Sequence, residues 1–158
     1  MTSAATCDDL RVDVTWILLA AGAGACIAVQ AAANGSLRGH LGDPRWATFF
    51  SICGTFLTAL LMMVVSQPKF PVAASFRAAP WWNWIGGPLG AIIVFAGATL
   101  TPKLGAAAFI ASVVAGQLVC SLVLDSFGLL NIIQQPLSLG RLAGAAMVFG
   151  GVVLVRYG

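Results

Sequence analysis

Residues 14–37 read VTWILLAAGAGACIAVQAAANGSL, a run with no Lys, Arg, Asp or Glu. At about 1.5 Å of rise per residue, a helix of this length crosses the ~30 Å hydrocarbon core of a bilayer. The run therefore predicts a transmembrane helix. Gly22, Cys26, Gln30 and Asn34 recur every fourth position, which puts two small residues and two carboxamides on approximately one face. An amide turned toward lipid is left without hydrogen bonds, so this face should meet protein, water or ligand. Two roles fit it equally: tying helices together, or lining a permeation or binding site.

Composition extends the reading to the whole chain. Its 158 residues are 59% hydrophobic and 8% charged, and the mean hydropathy is +0.95; these values suit neither a soluble domain nor a disordered one. Four further apolar segments follow, giving expected spans at 14–37, 46–65, 82–100, 105–124 and 136–156. The expected fold class is an all-α integral membrane protein, a single five-helix domain with no room for a separate catalytic unit. The eight Lys and Arg are scattered, which excludes nucleic acid as a partner. Cys7, Cys26, Cys53 and Cys120 are isolated, so neither a disulfide framework nor a metal site is expected, and no cofactor. Asp8, Asp9 and Asp13 make the N-terminal region acidic, unlike a signal peptide, and residues 1–12 are expected to fray.

Along the chain, Gly39, Gly42 and Pro44 are expected to stop the first helix, with His40 in the turn. Residues 67–80, with three prolines, have room for a short interfacial helix. Trp81, Trp82 and Trp84 fit an interfacial belt, with Trp84 the candidate to wall a cavity instead. Gly86, Gly87 and Gly90 let backbones approach, and Thr101, Pro102 and Lys103 are expected to form the next reversal. Gln117, beside Gly116 in the fourth span, must find a partner inside a bundle. Asp125 lies at the end of that span as a cap or, if the connection folds back, a coupling or gating group alongside His40. Arg141 can snorkel to the interface. Gly140, Gly144, Gly150 and Gly151 offer a small-residue face for another helix, in the same chain or in another.

Five spans put the termini on opposite sides. One side then carries Arg11, Lys69, Arg77 and Arg141, the other Arg38, Arg45, Lys103 and Arg156. Orientation follows the excess of Lys and Arg on the cytoplasmic side, and here there is none. Insertion in both orientations and head-to-tail pairing are therefore expected, giving the inverted symmetry on which many transporters are built.

Four motifs in order, Gln30-x3-Asn34 followed by Leu-Gly-x-Pro, WxWxGGxxGA at Trp82–Ala91, GQL at Gly116–Leu118 and DxFGL at Asp125–Leu129, resemble the YdcZ family of the drug/metabolite transporter superfamily. The resemblance implies a transporter of the bacterial cytoplasmic membrane made of two five-helix halves, either two chains or a duplicated one, in a superfamily that moves small metabolites and lipophilic cations. It places emphasis on Gln30, Asn34, Trp82, Trp84, Gly86, Gly87, Gln117 and Asp125. The related small multidrug transporters carry a glutamate in the first helix; this chain has no Glu at all, and no Asp falls inside an expected span. A polar, zwitterionic or weakly cationic solute held by Gln30, Asn34, Trp84 and Gln117 is expected, with the lipid bilayer and a second copy, or a related five-helix chain, as partners. The competing reading is a non-transporting scaffold or accessory subunit; an enzyme is not expected.

Overall fold

The computed structural model describes residues 7–158, with side chains from Val14 onward. Six α-helices follow one another: α1 (Cys7–Leu41), α2 (Pro44–Ser66), the short α3 (Ala73–Ala78), α4 (Gly86–Leu104), α5 (Ala106–Phe127) and α6 (Leu139–Tyr157). Among the described residues, five stretches are long and apolar enough to cross a membrane: Val14–Leu41, Pro44–Ser66, Trp81–Leu104, Ala106–Phe127 and Leu139–Tyr157. The all-α, five-span class is thus in place. The short helix expected between residues 67 and 80 is α3, beside which Phe76 stacks on Trp84 with centroids 6.1 Å apart.

Several helix ends differ from the sequence-based expectation. Helix α1 begins at Cys7, so residues 7–12 are helical and only 1–6 lie outside the described residues. At its other end it continues past Leu37 and Gly39 to Leu41, and Gly42 stops it with a left-handed φ of 76° and an N–H bonded to the Arg38 carbonyl at 2.8 Å. Asp43 then caps α2, its Oδ1 accepting from Arg45 N at 2.8 Å, and Pro44 occupies the first turn, where no N–H is required.

The reversal expected at Thr101–Lys103 lies instead at Gly105, whose φ is 83°. Pro102 sits within the last turn of α4, where the missing N–H costs one bond to Ala98 and the helix has only two residues left to run. The fifth span starts at Leu139 rather than Pro136, because Ser138 is extended and its Oγ accepts from Arg141 N at 3.2 Å.

Helix α1 packs most extensively on α4, which also meets α2 and α5, while α6 lies along α5. A Cβ on Gly97 would stand 3.4 Å from the Ala31 Cβ, and one on Gly35 3.3 Å from the Pro102 ring. Ala31 meets Gly97 and, one turn on, Gly35 meets Thr101 and Pro102, so α1 and α4 run parallel. The buried apolar residues are mostly alanines, Ala31, Ala47, Ala98, Ala108, Ala115 and Ala145, with Phe109 and Leu122. Small residues are what helix association in lipid needs, since apolar burial there gains nothing over lipid contact. In the most apolar 18-residue stretch of each span, between 6% and 22% of the residues are buried inside the chain, so the single chain has little interior.

The helix directions gather the C-terminal ends of α1, α4 and α6 at one end of the bundle, where Arg156 Nη1 donates to the Leu104 carbonyl at 3.4 Å. Asp125, Arg141, α3 and Trp81, Trp82 and Trp84 occupy the opposite end. The four-to-four division of Lys and Arg by side is unchanged by the shifted helix ends.

Candidate functional site

Extending α1 to Leu41 lengthens its polar row. Gln30, Asn34 and Arg38 now stand one turn apart on a single helix, the last of them part-buried and its Nη1 donating to the Thr99 carbonyl of α4 at 3.2 Å. The apolar run in the sequence ends at Leu37, so it gives no sign that Arg38 continues this row. Asn34 is only 5% exposed and its Nδ2 has no partner. Thr99 and Thr101, on the facing helix, also have buried hydroxyls without a partner. An unpaired polar atom in such a place costs about 1–3 kcal/mol unless something fills it.

The other expected site residues lie elsewhere. Gln30 and Gln117 are exposed on the single chain, and no hydrogen bond joins them to each other, to Asn34 or to any other described residue. Trp84 is 58% exposed against Phe76. Trp82 is the half-buried tryptophan, with a buried Nε1 that lacks a partner; the interfacial position of the cluster gave no signal for this. The chain alone therefore buries one of the three amides and leaves two on its surface.

The two candidate coupling groups have local partners. His40 is exposed, its Nδ1 3.0 Å from the Ser36 carbonyl one turn back. Asp125 forms an ion pair with Arg141 that ties the end of α5 to the start of α6. The connection folds over this pair: Gln135 N donates to the Asp125 carbonyl at 2.8 Å, and Arg141 Nη1 to the Gln135 carbonyl at 3.3 Å. Sequence reading named both residues but did not join them, since sixteen positions and a loop of unknown path separate them. Beside it, a groove of about 600 Å³ runs between α5 and α6, lined by Val119, Leu122, Val123, Ser126, Leu142 and Ala145 among others.

Asp43 has a different partner. The Arg45 side chain, then its backbone N–H, hydrogen-bond to the carboxylate and lower its pKa to about 2. Of the eight glycines expected to pack helices, Gly86, Gly87, Gly90, Gly116, Gly144, Gly150 and Gly151 have nothing within 4 Å of a Cβ, and Gly140 only the nearby Ser138 Oγ at 3.9 Å. The close approach inside the chain is made by Gly35 and Gly97 instead. Among the described residues no group of three His, Cys, Asp or Glu could hold a metal.

A helical bundle of five apolar spans with polar side chains set within them defines a multi-pass membrane protein. The family model described as "Putative inner membrane exporter, YdcZ" matches residues 15–154, and the chain belongs to this family. The match places it in the inner membrane and in the drug/metabolite transporter superfamily. No curated protein matches the chain significantly, and no solved structure does.

Proposed function

We propose that this chain is one half of a small-solute transporter that works by alternating access, the solute path lying between two copies of opposite orientation. The observation that carries the reading is the position of Gln30 and Gln117. Both carboxamides lie within spans, on the outside of the single chain and without a hydrogen-bond partner, where lipid contact would leave two donors and an acceptor on each unmet. A second chain across these faces encloses them and makes a polar cavity. The seven glycines that are open within one chain supply close contacts for that partner, and the equal Lys and Arg counts at the two ends remove the bias against inverted insertion.

The amides recognise a polar or zwitterionic metabolite, with Trp84 as an aromatic wall. Asp125, already held by Arg141, suits a latch at the α5–α6 end better than a proton carrier, and His40 lies at the opposite mouth. Solute uptake into proteoliposomes tests the reading. Gln30→Leu and Gln117→Leu are each expected to lower uptake about tenfold or more while the two-chain assembly survives in detergent, because each removes hydrogen bonds to the solute. Unchanged uptake would make the amides structural; a wild-type chain that carries nothing across a broad metabolite panel would favour an accessory subunit.

A further inference from the structure

Hydroxyls within the spans of this protein usually bond back to their own helix. Thr48, Thr55, Thr58 and Ser112 each donate to the carbonyl four residues earlier, at 2.8–3.0 Å. Thr99 and Thr101 do not, although their oxygens are buried, and Thr101 as a whole is only 8% exposed. Thr101 lies on α4 where it meets Gly35 of α1, and the Thr99 carbonyl meets Arg38, whereas the Thr99 hydroxyl, two residues from Thr101, lies on a different face of α4. Asn34 adds an N–H2 group at 5% exposure with no partner. Arg38 adds a guanidinium that touches the Thr99 carbonyl through Nη1 and, among the described residues, no carboxylate. The nearest acid along the chain, Asp43, is held by Arg45.

This interface thus contains one fixed positive charge, one amide donor and one hydroxyl, and no carboxylate touches them among the described residues, Asp43 feeling the Arg38 charge only from a distance. Such a set matches an oxyanion, which accepts several hydrogen bonds and complements a guanidinium. We propose that Arg38 and Asn34, with Thr101, form a subsite for the oxyanion end, carboxylate or phosphate, of a soluble solute. Resting on the transporter reading above, the subsite narrows the substrate class to zwitterionic or anionic solutes. It is closed in this conformation; α1 and α4 must part to admit the solute, and Gln30, one turn further along α1, then meets the remainder of the molecule.

The test uses the full chain, purified in a neutral detergent without added lipid, with sodium acetate and inorganic phosphate as probes and chloride at equal ionic strength as control. Either oxyanion is expected to raise the thermal midpoint saturably above chloride. Arg38→Gln, which keeps a donor for the Thr99 carbonyl but loses the charge, is expected to weaken the apparent affinity about tenfold or more. Arg38→Lys should retain part of it as a point charge. Asn34→Leu, which keeps the branching at Cγ but has no N–H groups, gives a second variant with the same expected direction if Arg38→Gln does not assemble. No effect beyond chloride overturns the subsite. So does stabilisation found only in phosphatidylglycerol nanodiscs, which assigns Arg38 to a lipid headgroup. Uptake that depends on Gln30 and Gln117 without any oxyanion effect would remove the subsite and keep the transporter; oxyanion binding sensitive to Arg38→Gln in a chain that transports nothing would do the reverse.

Discussion

Arg141→Ala is expected to destabilise the protein by about 1–3 kcal/mol, between the limits for exposed and fully buried ion pairs. The side chains of Arg141 and Asp125 are 28% and 26% exposed, so removing the cation strands a carboxylate that is largely out of water at the end of α5. It also releases the Gln135 and Pro136 carbonyls, which Arg141 holds at 3.3 and 3.5 Å, and with them the extended connection that precedes α6. Asp125→Ala is expected to cost less, because Arg141 keeps those carbonyls and can reach the interface. Thermal unfolding in detergent measures the difference, and hydrogen exchange between residues 128 and 138 should rise strongly in Arg141→Ala and weakly in Asp125→Ala. Equal effects of the two substitutions would mean that the ion pair, and not the hold on the connection, is what matters.

The second large effect separates contacts within the chain from contacts between chains. Gly97→Val places branched methyls where a Cβ already stands 3.4 Å from Ala31 and 3.7 Å from the Phe109 ring. Overpacking of this kind costs about 1–3 kcal/mol, and here it pushes α1 from α4. Gly35→Val meets the Pro102 ring with the same expected result. Gly116→Val and Gly144→Val enter open space in the single chain, so their expected effect is different: the fold persists and self-association weakens. Unfolding midpoints combined with cross-linking in native membranes read both quantities. Loss of fold in Gly116→Val, or unimpaired dimer in both Gly116→Val and Gly144→Val, would contradict the assignment of those glycines to a second chain.

The five spans were legible because a bilayer imposes length and polarity on each helix independently of its neighbours. Which glycines meet which helix was not. Gly35 and Gly97 carry the tightest contact between α1 and α4, yet nothing in their sequence surroundings separates them from the open Gly86, Gly116 or Gly150. Gly and Pro signals located the turns but not the helix ends: Gly39 and Pro102 remain helical, since the left-handed positions fall on Gly42 and Gly105. The extra turn of α1 brought Arg38 into register with Gln30 and Asn34, and the amides at 30, 34 and 117 were recognisable as anomalies within apolar runs. Their surroundings were not recognisable, since those depend on packing within the chain for Asn34 and, in the proposed assembly, on another chain for Gln30 and Gln117.

The paired arrangement rests on orientation, which can be measured without knowing the solute. With Cys7, Cys26, Cys53 and Cys120 replaced by serine or alanine, a Gly158→Cys label site marks the end of α6. A membrane-impermeant maleimide applied to each face of native membranes in turn is expected to reach roughly half of the chains from either side, as balanced Lys and Arg counts require. Labelling from one side alone would contradict the inverted pair of identical chains.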